Sequence, residues 1–173
     1  MEADADFLVG MLSQVLEETD IDVFAFGEDM VYHTAPLISP QLARKFMLPR
    51  YRKVVDFGRS HGVHFFALDS GGYIDQLIPV WIDAGIDILY PFEVQAGMDV
   101  LAVRKKYGRN LRMWSGVDKR PLTVGLEAIN KELERVKPLI DDGGCIPMPD
   151  HSATPDTPYQ NYGYFLEHLK NIL

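Results

Sequence analysis

The sequence predicts an α/β protein built on a parallel sheet. Short apolar runs alternate strictly with segments of helical spacing. The runs lack polar alternation, as in strands buried on both faces. Five strands are expected, each followed by a helix, with one helix ahead of the first. Such alternation calls for right-handed crossovers and parallel pairing. Two architectures satisfy it: an open doubly wound sheet, or part of a barrel. The turn Phe26-Gly27-Glu28-Asp29 is not a glycine-rich phosphate loop, which weakens a nucleotide-binding reading. A closed eight-stranded barrel takes about 250 residues, and at 173 residues this chain is several strands short of one.

The elements follow in order. Phe7, Leu8, Met11, Leu12, Val15 and Leu16 mark a helix over 5–18, and Val23 to Phe26 a strand ended by Gly27. Ser39-Pro40 is a capping serine before a proline at the first helical position. It opens a helix expected to run through Phe46, Tyr51 and Phe57 to Gly62. Val63 to Leu68 is the second strand, and a helix around Leu77, Ile78 and Trp81 ends at Gly85. Ile86 to Tyr90 is a strand and Asp99 to Tyr107 a helix. Leu111 to Trp114 is a strand, with a helix from Thr123 to Ile140. Cys145 to Met148 is the last strand, before a helix from Tyr159 to Leu173. The whole, 1–173, is expected to form a single domain.

Composition narrows the function classes. Apolar residues make up 47% and charged residues 24%, ordinary for a globular protein. A net charge of −8 argues against a nucleic-acid or anionic-membrane surface. The single cysteine, Cys145, excludes an intrachain disulfide and a thiolate zinc cluster. The acidic start, Met1 to Asp6, lacks the layout of a signal peptide, and no apolar run approaches the roughly 20 residues of a membrane span. A cytoplasmic protein with a small-molecule substrate is expected.

Each strand end carries acidic residues: Glu28-Asp29, Asp69, Glu93, Asp118 and Asp150-His151. In a parallel α/β sheet these positions share the rim where ligands bind. They suit general acid–base work, a hard cation or a polar substrate. Asp and Gly also favour such loops because they cap helices and form turns. His61 and His168 are expected at the surface and His64 in packing, while His33 stays open. Arg104-Lys105-Lys106 reads as a solvated helix end, and Trp81 and Trp114 as core.

Four stretches resemble the uroporphyrinogen decarboxylase superfamily. They are PLISPQLARKFMLP (Pro36 to Pro49), YPFEVQAGMD (Tyr90 to Asp99), SGVDKR (Ser115 to Arg120) and GGCIPMPDH (Gly143 to His151), with Pro155-Asp156 shortly after. The third matches a family pattern G-G-I-D-K-R. The resemblance covers about residues 5 to 173 and implies part of a (β/α)8 barrel, roughly its last five strand–helix units. It implies decarboxylation of a tetrapyrrole or similar carboxylated substrate. His151 maps onto a late-barrel histidine that would meet a substrate carboxylate. His151 and Asp69 are the expected catalytic pair, with Glu28, Glu93, Asp118 and Asp150 binding substrate.

The superfamily also holds methyltransferases that work with a corrinoid and bind zinc through H-x-C and a late cysteine. Here those positions read Asp69-Ser70-Gly71 and His151, so the thiolates are gone. Asp69 and His151 remain as candidate ligands for a divalent metal, a weak pair unless Glu28 or Glu93 joins them. A corrinoid-linked methyltransferase is the alternative reading. A third is a non-catalytic half-barrel that pairs with itself as a homodimer, or with an N-terminal half, because a partial barrel leaves open strand edges.

Overall fold

The computed structural model describes residues 1–173. Five parallel strands form one sheet in chain order and alternate with helices, an arrangement consistent with part of a (β/α) barrel. The chain divides into two compact units, Met1–Leu89 and Tyr90–Leu173.

The first unit contains α1 (Glu2–Glu18), β1 (Val23–Gly27), α2 (Pro40–Phe46), α3 (Leu48–Ser60), β2 (Phe65–Asp69) and α4 (Ile78–Ala84); β3 (Ile88–Tyr90) begins at its end. The Ser39 hydroxyl accepts from the Leu42 amide at 3.2 Å, so the expected cap and Pro40 start hold. The single helix expected over this stretch is instead two, broken at Met47. Pro49 has no N–H, and its ring conflicts with the carbonyl four residues back, so a new helix starts there.

β1 and β2 pair in parallel, with Phe24 opposite Phe66 and Phe26 opposite Leu68. Alternation puts these four on the helix-covered face, where the Phe26 ring meets that of Tyr51 in α3 at 5.3 Å. A Cβ on Gly58 would lie 2.6 Å from the Phe66 ring, so glycine lets α3 approach the strand that closely. His64, expected in packing, is exposed. Strand pairing starts one residue after it, at Phe65, whose amide bonds to the Asp22 carbonyl.

The second unit holds α5 (Val100–Tyr107), β4 (Arg112–Trp114), α6 (Pro121–Val124), α7 (Leu126–Asp142), β5 (Cys145–Ile146) and α8 (Tyr159–Ile172). The helix expected from Thr123 is split at Gly125, whose φ of 141° no helix accommodates. β5 is shorter than expected because Pro147 and Pro149 carry no N–H for a ladder. Arg104 is not part of a solvated helix end. Its guanidinium donates to the carbonyls of Gly108 (3.0 Å) and Gly143 (2.6 Å), while the stem is covered. His168, expected at the surface, is half-buried and stacked on Tyr164 at 3.8 Å. No helix is long and apolar enough to cross a membrane.

Candidate functional site

The strand-end acids fall into different settings. Glu28 lies just past β1 on the same face as Phe24 and Phe26, and it accepts a hydrogen bond from the Tyr51 hydroxyl. Burial pushes the Glu28 carboxyl above the usual carboxylate range, against the lowering effect of that bond. Burial, and then the facing carboxylate, push the Tyr51 phenol far up. Burial thus biases the pair toward the protonated carboxyl. It borders a cavity of about 270 Å³ whose walls include Leu8, Phe24, Phe26, Met47 and Arg50. Tyr51 was hidden in the sequence because it falls at an apolar position of a helix.

Asp69 ends β2 opposite Gly27, on the other face from Phe66 and Leu68. Its carbonyl accepts from the Glu28 amide at 2.8 Å, so strand pairing runs on one step past β1. The backbones of Glu28 and Asp69 are neighbours, but their side chains leave on opposite faces. Next in chain, the Ser70 hydroxyl is buried and has no protein partner.

In the second unit Asp150 is 1% exposed. Its Oδ2 accepts from the Val94 amide (2.8 Å) and its Oδ1 from the Lys119 amide (3.0 Å). One carboxylate thus ties the segment after β3 to the segment after β4. Burial raises its pKa, and the two amides work against that. Asp118 holds Arg120 through both carboxylate oxygens, at 2.9 and 2.5 Å. Burial acts to raise the Asp118 pKa, but Arg120 and then Arg135 prevail and hold it low. Behind it, Glu132 accepts from the Asp118 amide and from Arg135, both at 2.7 Å. Glu132 and Arg135 were not legible as site residues, because on α7 they read as ordinary helix charges.

Glu93 is half-buried and precedes the short turn Val94–Ala96. His151 is exposed, and its Nδ1 accepts from the Ser152 amide at 2.8 Å. Ser115 has a φ of 96°, in the left-handed region. Trp81 is core, as expected; Trp114 is only half-buried and meets the Tyr90 ring at 4.8 Å. Ile146, opposite Trp114 in the ladder, and Met148 are exposed.

A metal centre is not assembled. Nowhere do three His, Cys, Asp or Glu side chains gather into a group that would hold an ion. Burial pushes the Cys145 thiol up to about 11, so it does not offer a thiolate at neutral pH. The donor set does not fit zinc-activated thiol chemistry.

No protein-family model and no curated protein sequence matches the chain. Among solved structures it is similar to a methyltransferase from Methanosarcina mazei, with a TM-score of 0.67 and 19% identity. The match covers 96% of this chain and 47% of that one, so the chain spans about half the length of the structure it resembles. At this identity the likeness is one of fold.

Proposed function

We propose that this chain is part of a methyl-transferring barrel that works with a corrinoid. The observation carrying this is the match of nearly its whole length to a methyltransferase. That neighbour's description names methyl transfer and not decarboxylation, so the second of the two sequence expectations is the supported one. The residues fit a flat macrocycle. Tyr90, Trp114, Ile146 and Met148 offer aromatic and aliphatic surface in the second unit, much of it uncovered. Burying such surface is worth roughly 25 cal/mol per Å². A bound corrinoid would supply the metal that carries a methyl group. The chain's own contribution is the apolar wall and the Asp150 clasp that holds the loops beside it.

Calorimetric titration with methylcobalamin tests the reading. Saturable binding is expected, weakened at least about tenfold by Trp114→Ala, in line with loss of a central aromatic contact. The Phe57→Ala variant, altered in the other unit, serves as control and should bind as the parent does. Absence of saturable binding, or equal binding by Trp114→Ala, would remove the corrinoid from the proposal.

A further inference from the structure

The acids that follow β4 and β5 are turned to protein partners. Each Asp150 oxygen accepts from a backbone amide, that of Val94 or that of Lys119. Both Asp118 oxygens accept from the Arg120 guanidinium, and Oδ1 accepts also from the Arg120 amide at 2.9 Å. An incoming cation would have to break these bonds and leave their donors unpaired.

The two cations beside them are placed otherwise. Arg120 meets Asp118 through Nε and Nη2, so Nη1 has no protein partner, and the side chain is 53% exposed. Its anchor is fixed from below. Asp118 is buried, its amide donates to Glu132 at 2.7 Å, and Glu132 is held by Arg135 of the same helix, α7. Four charged groups in a row thus run from α7 to Arg120 and hold the guanidinium in place. A guanidinium already held loses little freedom when its remaining N–H groups take up an anion.

Lys119 is half-buried and its side chain forms no ion pair, while its amide is fastened by Asp150. The Cα atoms of consecutive residues lie ~3.8 Å apart, so both long side chains can reach one anionic group. The net negative charge of the chain does not oppose this. It lies in the first unit; the second, Tyr90–Leu173, carries as many basic as acidic residues.

We infer that Lys119 and Arg120 form an anion subsite beyond the C-terminal end of β4, taking a carboxylate or phosphate group of a small-molecule ligand. Ligands of parallel α/β sheets bind outside the carboxyl ends of the strands, which is where this pair lies. Arg120 supplies directed N–H groups, and Lys119 a charge that no ion pair cancels. Binding here requires neither a corrinoid nor turnover, so its test is independent of the methyl-transfer reading.

The test titrates the full chain with succinate and, separately, with inorganic phosphate, and follows the Lys119 and Arg120 amide signals and the Arg120 Nε signal by NMR. Saturable shifts are expected with at least one of the two, and the one that binds identifies the group. Affinity should fall severalfold as sodium chloride rises from ~0.05 to ~0.3 M. Lys119→Gln should weaken binding at least about fivefold. So should the double variant Asp118→Asn, Arg120→Gln, which removes the guanidinium without leaving a bare buried carboxylate. Lys131→Gln, which alters an exposed lysine of α7, should bind as the parent does. Absence of saturable shifts with both anions, an equal loss in Lys131→Gln, or unchanged affinity in both Lys119→Gln and the double variant would each overturn the inference.

Discussion

The Tyr51 hydroxyl in α3 donates to Oε1 of Glu28, locking the residue after β1 to the helix that covers it. This fastens a strand end to the helix layer through one half-buried carboxyl, and it makes the first unit sensitive to pH.

Glu28 has its pKa raised by burial. Its contribution to stability is therefore complete below the ordinary value of 4.5 and is lost as pH rises through the higher folded value. Urea unfolding across pH 4 to 8 should show this decline in the parent chain. Glu28→Gln keeps an acceptor for Tyr51 without a charge, so it should flatten the profile and stabilise the fold at neutral pH. Tyr51→Phe leaves the carboxyl without its donor and should cost about 1–3 kcal/mol. A parent profile that already matches Glu28→Gln would show that the carboxyl is well solvated.

Asp150 should act as a clasp between two rim segments. In Asp150→Asn one acceptor oxygen becomes an amide nitrogen, and either the Val94 or the Lys119 amide loses its partner. The expected cost is about 1–3 kcal/mol, with faster hydrogen exchange at the affected amide. The raised pKa of Asp150 means that its contribution, too, falls as pH rises through the folded value, and the asparagine variant should lack that dependence. Unaltered exchange at both amides would mean that the segments are held by other contacts.

Ser115 and Gly116 should respond unequally to small substitutions. A Cβ on Gly116, at φ 100°, would sit 2.2 Å from Cγ1 of Val100. Gly116→Ala is thus both strained and overpacked and should cost at least about 2 kcal/mol. Ser115→Gly relieves a left-handed serine but loses the bond from its hydroxyl to the Pro149 carbonyl at 3.1 Å. These effects oppose one another, and the change should stay within about 1 kcal/mol. Thermal unfolding of the two variants makes the comparison, and equal losses would refute the distinction.

Much of the fold was legible because it is written locally. Ser39-Pro40 started α2, Gly85 ended α4 with φ 93°, and the five apolar runs became five strands in chain order. The errors have local causes as well. Pro49 and Gly125 broke helices whose apolar spacing ran through them, and Pro147 and Pro149 shortened β5.

The acidic strand ends were also legible, but their roles were not. The order of residues showed that Glu28, Asp69, Asp118 and Asp150 follow strands, since that is a matter of position along the chain. It did not show that Glu28 meets Tyr51, that Asp118 meets Arg120, or that Asp150 spends both oxygens on backbone amides. The sequence by itself determined the elements, their parallel order and the placing of acids after strands, because periodicity, capping and turn chemistry act over a few residues. Only the tertiary structure decided which carboxyls burial pushes up in pKa, which hold a cation and which staple loops, because burial and partners are set by residues distant in the chain.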